Sequence, residues 1–285
     1  MPTTTLFIRR LTILDCSYLC DKRGIVGETW WADVKLQGTL DEEGVIFDFS
    51  YAKKTIKRLV DELADHKCLV PMESQSLQSN LSDGRYALEF HSEKAKHLKY
   101  SCPEEGIAPI PVSHISPENV CRYLEEKIIA ELPKNILKVS INLRNEELGE
   151  KANYHYSHGL KKHYGNCQRM IHGHRSVIDI FVDGTPRPDL EAKWAKRWVD
   201  VYLPSREDIL EEFQKDGETY LRMGYTGNQG YFELDLLKSK CEVFETDTTV
   251  EWIAHFIKAK LIEEEDLTHC LVYAYEGIDK GAISE

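Results

Sequence analysis

Residue spacing in this chain predicts an α+β fold built twice over. Three observations carry that expectation: stretches in which apolar residues alternate, segments with helical spacing, and the same element order before and after residue 148. Alternation from Leu6 to Leu19 and again from Thr29 to Gly38 predicts two strands, followed by a turn at Asp41-Glu42-Glu43-Gly44. Ile56, Leu59, Val60 and Leu63 fall on one helical face, with Ser50 of Asp48-Phe49-Ser50 as the expected N-cap. Residues 72–115 are rich in Ser, Pro, Gly and charge and read as a long loop or insertion. Ser116-Pro117-Glu118 opens a helix towards Glu131, and Ile136 to Leu143 is a strand.

The second half replays this order. One strand leads into His158, and a second runs from His172 to Gly184 with Ile178, Ile180 and Val182 at period two. The charged segment 190–218 is expected to hold a helix over 206–213. Thr248-Thr249-Val250-Glu251 opens another helix, and Leu271 to Tyr275 is a last strand ending at Glu276. Two strand–strand–helix–helix–strand units, 1–148 and 149–285, suggest a tandem duplication.

Bulk properties narrow the function. A formal charge of -12 argues against nucleic-acid binding and against an anionic membrane surface. No apolar run approaches the roughly 20 residues that span a bilayer. The N-terminal residues MPTTTLFIRRLTILD do not resemble a signal peptide, so the eight cysteines read as free thiols and the expected location is cytoplasmic.

Residues 155–175, HYSHGLKKHYGNCQRMIHGHR, gather histidines around one cysteine. His172 and His174 flank a glycine, and residues two apart in a strand share a face. His158 can approach from a neighbouring strand. Three neutral nitrogen ligands would leave Zn2+ an open position, as catalysis requires. The bland alternative is a His-rich surface loop, or histidines satisfied by core hydrogen bonds. His155 and His163 are decoys, since His155 would face away from His158.

The second half also holds Tyr154 ahead of His158, then Cys167, His172-Gly173-His174, Thr249 with Glu251, and Glu276. The first half holds Gly44, Asp48-Phe49-Ser50 and Asp65-His66. This set resembles the 6-pyruvoyl-tetrahydropterin synthase and 6-carboxytetrahydropterin synthase family. The resemblance implies the tunnelling fold, an antiparallel sheet backed by two helices and assembled into barrels. The positions of the His-Gly-His motif fall on Val26-Gly27-Glu28 in the first half, and that of His158 on Ser17. The first unit therefore lacks metal ligands, while the second has no Asp-His pair between Gly184 and Thr248. Each half supplies what the other lacks.

What the resemblance implies for chemistry is specific. Zinc on His158, His172 and His174 would act as a Lewis acid on substrate hydroxyls. Cys167 would be the general base; a fourth, structural zinc ligand is its alternative. Asp65 and His66 would form a second proton-transfer unit, or else a polar helix end. Glu276 would anchor the amino group and ring N–H of a pterin, with Thr249, Lys161, Lys162 and Arg175 as further substrate contacts, the cations for a triphosphate. The implied reaction is that of a carbon–oxygen lyase: 7,8-dihydroneopterin triphosphate to 6-carboxy-5,6,7,8-tetrahydropterin, on the queuosine precursor route. The 6-pyruvoyl product, an aldolase branch that typically carries Glu in place of Cys167, and a zinc-binding scaffold without turnover are the alternatives. The expected assembly is a homo-oligomer with an even number of units.

Overall fold

The computed structural model describes residues 2–285. A long hairpin opens the chain, β1 (Thr3–Cys20) and β2 (Gly24–Thr39), followed by α1 (Phe49–Leu63). Five short strands come next: β3 (Cys68–Pro71), β4 (Leu77–Ser82), β5 (Arg85–Ser92), β6 (Lys96–Pro103) and β7 (Ile107–Ile110). The half closes with α2 (Pro117–Ala130) and β8 (Ile136–Arg144). After it come β9 (Asn153–His158), β10 (His172–Val182), β11 (Thr185–Pro186), α3 (Pro188–Arg197) and β12 (Val199–Leu203). A meander β13 (Ile209–Lys215), β14 (Glu218–Gly227) and β15 (Gly230–Leu237) precedes α4 (Val250–Glu264), β16 (Leu271–Tyr275) and β17 (Gly281–Ser284).

Three sheets result. Order β7-β3-β1-β2-β8 forms the first and β12-β9-β10-β16-β17 the second, each with a central antiparallel pair. The third, β13-β14-β15-β6-β5-β4, is antiparallel throughout and combines the insertions of both halves. The architecture is α+β, with an antiparallel strand pair and two helices in each half. Leu14, Trp30, Val34 and Leu36 pack against Ile56, Val60, Leu124 and Ile128 in the first half. Tyr154, Tyr156, Ile178 and Ile180 pack against Trp194, Trp198, Ile257 and Leu261 in the second. Each such side chain removed from water stabilises the fold by about 1.5–3 kcal/mol. A third cluster, including Phe90, Tyr100, Met223 and Phe232, lies on the joint sheet.

Local chemistry sets the helix ends. Asp48 caps α1 by accepting from the Tyr51 N–H, so the cap stands two residues before the expected Ser50. Ser116 accepts from Asn119 N and Pro117 starts α2, as the spacing predicts.

One other expectation holds in part and another fails. Residues 72–115, expected as a long loop or insertion, are an insertion made of strands and not a loop, with Leu88 and Phe90 alternating with exposed Ala87, Glu89 and His91 in β5. The helix expected at 206–213 is a short 3₁₀ turn, Arg206–Asp208, leading into β13, while the helix of this region is α3. Ile209, Leu210 and Phe213 satisfy helical spacing, yet pairing with β14 prevails.

Candidate metal and acid–base centre

β9 ends at His158 and β10 begins at His172, and the register sets these two opposite each other, with His174 opposite Tyr156. Alternation then turns His172 and His174 to one face beside His158. One ligand atom from each lies within 4.8 Å of the others. All three are essentially sealed from solvent, at 1%, 0% and 0% exposure.

Hydrogen bonding at Nδ1 fixes the rings of His158 and His172. His158 Nδ1 donates to the Thr248 carbonyl (2.9 Å), close to its hydroxyl (3.1 Å), and His172 Nδ1 donates to the Arg169 carbonyl (3.0 Å). His174 Nδ1 lies 3.1 Å from Asp15 Oδ1. With the proton on Nδ1 of His158 and His172, the Nε2 atoms of both keep their lone pairs. The Nε2 atoms of His158, His172 and His174, together with Nδ1 of His174, are buried without a hydrogen-bond partner among the described residues. Leaving a buried polar atom unpaired costs about 1–3 kcal/mol, and three Nε2 atoms in one cluster suit a shared divalent cation. Burial, then the neighbouring imidazoles, hold His158 and His172 well below the ordinary histidine pKa, so both are neutral donors. The residues fit a metal.

Asp65 and His66 reach this cluster from the first half. His66 adopts φ +53 just after α1, and its N–H donates to the Asp15 carbonyl at 2.7 Å. The Asp15 N–H in turn donates to Asp65 Oδ1 (2.9 Å), and Asp65 Oδ2 is 2.6 Å from His66 Nδ1. The His66 ring stands 5.2 Å from that of His172 and 6.3 Å from that of His174. His66, Cys167 and His172 form a second trio with ligand atoms within 4.8 Å. Burial opposes protonation of His66, but the Asp65 carboxylate and the Cys167 sulfur outweigh it and lift the ring to about 10. Cys167 sits in a 3₁₀ turn, Gly165–Gln168, whose carbonyl at Cys167 accepts from Leu160 N–H. Arg169 Nη1 donates to the Asp65 carbonyl, joining this loop to the first half.

Other expected site residues are distributed unevenly. Glu276 stands at the end of β16, its Oε1 3.6 Å from His174 Nε2. Thr249 is the N-cap residue of α4, whereas the threonine that touches a histidine is its neighbour Thr248. Arg175 alternates to the opposite face of β10 and donates to Asn153 Oδ1. Lys161 is held by Asp208 and Lys162 by Glu207 and Asp247. His155 faces away from the cluster, its ring 2.7 Å from the Gly27 carbonyl, and His163 is exposed.

Sequence reasoning missed Asp15, Thr29, Thr248 and Lys280. Asp15 Oδ1 accepts from the Thr29 hydroxyl (2.7 Å), and Oδ2 lies 3.2 Å from Lys280 Nζ. Burial pushes its carboxyl up, but His174, Lys280 and Thr29 together hold it well below the usual range. A lone Asp in a strand carries no motif; only its placement within an otherwise apolar run hinted at a partner.

The halves meet through matched strands. Ser17 pairs with Gly27 and Ser157 with Gly173, and the two serine hydroxyls are 2.8 Å apart. This register corrects one expectation: the counterpart of His158 is Tyr18, with Val26 and Glu28 matching His172 and His174. Asp200, with φ +57, stands where the other half has His66, since Tyr202 pairs with Ser157 as Cys68 does with Ser17. At this second position the Arg23 guanidinium binds Asp200 in bidentate fashion, with Nε to Oδ2 at 2.9 Å and Nη2 to Oδ1 at 2.5 Å.

The family described as 6-pyruvoyl tetrahydropterin synthase matches residues 20–155, a span holding Asp65 and His66 and ending before His158. A protein of Pyrococcus horikoshii with the provisional name 6-carboxy-5,6,7,8-tetrahydropterin synthase is 26% identical over 130 residues, 46% of this chain and 74% of that protein. One of Pyrococcus abyssi with the same provisional name is 23% identical over the same shares. Among solved structures, the 6-pyruvoyl tetrahydropterin synthase of Plasmodium falciparum aligns at 20% identity and TM-score 0.40, covering 50% of this chain and 90% of its own. That of Plasmodium vivax aligns at 19% and 0.38, covering 51% and 100%.

Proposed function

We propose that the chain is a member of the 6-pyruvoyl tetrahydropterin synthase family, whose model matches residues 20–155, and that it is a zinc-dependent lyase acting on 7,8-dihydroneopterin triphosphate. The observation that carries this reading is the meeting of three partnerless Nε2 atoms with Cys167 and the Asp65–His66 pair. The product we assign is 6-carboxy-5,6,7,8-tetrahydropterin, the product named for the two Pyrococcus relatives. The family's own description favours retention of the side chain as the 6-pyruvoyl compound, which is the second reading.

His158, His172 and His174 would hold the metal, which when bound supplies a Lewis acid for the side-chain hydroxyls. Cys167 acts as the base that takes a proton from the adjacent carbon. His66 stands beside the Cys167 sulfur and carries protons to and from the side chain, while Asp65 fixes its ring. Glu276, at the end of β16 and partly exposed, accepts from the pterin amino group and ring N–H. Lys161 and Arg175 remain candidates for the triphosphate only if Asp208 and Asn153 release them. One chain carries both contributions to the site, so we assign one centre per chain. We further propose that chains associate into homo-oligomers with an even number of units; a monomer by light scattering at micromolar concentration would count against that.

The test is direct. Zinc-loaded protein incubated with dihydroneopterin triphosphate should release triphosphate and give a new pterin by chromatography. Cys167→Ala should retain the metal and lose turnover by about 100-fold or more, the scale of a general base. Loss of metal in that variant would instead make Cys167 a ligand. Intact metal without product in the parent protein would favour a zinc-binding scaffold.

A further inference from the structure

We infer that Asp15 is a positioning residue that joins the two halves of the site, its carboxylate orienting His174 and its peptide group holding the Asp65–His66 pair. The inference rests on the metal reading above and adds to it a residue outside the ligand set. In metal sites a ligating histidine usually gives its second N–H to a carbonyl or carboxylate, which fixes tautomer and ring plane. His158 and His172 use the carbonyls of Thr248 and Arg169. His174 Nδ1 makes no hydrogen bond but has the Asp15 carboxylate beside it, Oδ1 at 3.1 Å, a charged group from the other half of the chain.

Asp15 is itself fixed from several sides. It is 3% exposed, receives the Thr29 hydroxyl at 2.7 Å and faces Lys280 Nζ at 3.2 Å. Gly277, at φ +73, permits this closeness, because a Cβ there would lie 2.7 Å from Asp15 Oδ1. The Asp15 backbone does a separate job: its N–H donates to Asp65 Oδ1 and its carbonyl receives the His66 N–H. One residue thus touches a metal-facing histidine and both members of the proton-transfer pair.

The matched position in the other half strengthens the inference. There His155 stands in place of Asp15 and Glu28 in place of His174, with His155 Nδ1 4.0 Å from Glu28 Oε2. An imidazole and a carboxylate face each other across the halves on both sides, with their roles exchanged. Only on the Asp15 side does the imidazole have two neighbouring histidines to share a cation.

The experiment uses the full-length protein and zinc alone, with affinity read by competition against a chromophoric chelator and geometry by the cobalt(II) absorption spectrum. Asp15→Asn keeps an acceptor without charge and should weaken zinc about 10-fold; Asp15→Ala should weaken it about 100-fold, the range seen when a ligand's outer partner is removed. The cobalt spectrum should change in both. Arg23→Ala, which breaks the cross-half ion pair with Asp200, should lower stability and leave affinity and spectrum unchanged. If Asp15→Ala fails to fold, Asp15→Asn decides. Parent-like affinity and spectrum in Asp15→Asn overturn the Asp15 inference alone, whereas absence of zinc binding in the parent protein overturns the metal reading beneath it.

Discussion

Glu28 and His155 show how single residues set the pH response of the interface. Burial pushes Glu28 up from 4.5 to about 7, and burial drives His155 down from 6.5 to about 4. The signs oppose. The Glu28 contribution is fully present below 4.5 and is lost as pH rises through about 7. That of His155 is present above 6.5 and is lost as pH falls through about 4. Across the shared window the two slopes offset each other. Glu28→Gln removes one and uncovers the other, so its stability relative to the parent should climb by about 2 kcal/mol between pH 4.5 and pH 6.5. Denaturant titrations at the two pH values measure this, and a pH-independent difference between the proteins would rule it out.

At the scale of elements, two strand pairs approach so closely that only glycine fits between them. A Cβ on Gly27 would lie 1.9 Å from the Tyr156 carbonyl oxygen, and one on Gly173 would lie 2.3 Å from the same atom. Backbone cannot yield as a flexible side chain would, so Gly27→Ala should cost at least about 1–3 kcal/mol and displace β10 with its two histidines. Calorimetry and zinc affinity should fall together; a parent-like melting temperature would contradict the tight packing. These glycines were visible in the sequence as parts of the Val26-Gly27-Glu28 and His172-Gly173-His174 segments, but their contact was not, because it joins residues 146 positions apart. Legibility followed the range of the forces involved. The one-residue gap between His172 and His174 and the face of α1 are local patterns, and the structure sets both as the spacing predicts. Strand β4, with five of its six residues exposed, offered no apolar alternation to detect, and the alternation of Leu88 and Phe90 in β5 is too short to outweigh the polar residues around it. The partner of Asp15 was illegible for a different reason: His174 is 159 residues away and no periodicity connects them.

For the whole molecule, the division of labour at the centre would couple a metal held by the second half to the first half through Asp15 and the Asp65–His66 pair. The three histidines belong to β9 and β10, whereas Asp15, Asp65 and His66 come from β1 and the segment after α1. A ligand that binds only the folded state stabilises it by RT ln(1 + [L]/Kd), about 4 kcal/mol at a thousandfold excess over Kd. For a chain of this size each kcal/mol moves Tm by about 2–4 °C, so chelation should lower Tm by on the order of 10 °C. The form of the transition tells as much as its midpoint. Because the third sheet pairs β15 with β6, and Ser17, Arg23 and Arg169 each bond to the opposite half, neither half can open without exposing the other. The apo protein should therefore still melt in one calorimetric transition, shifted down as a whole. Two separated transitions on chelation would mean that the halves are independent and that the ion stabilises only the one bearing the histidines.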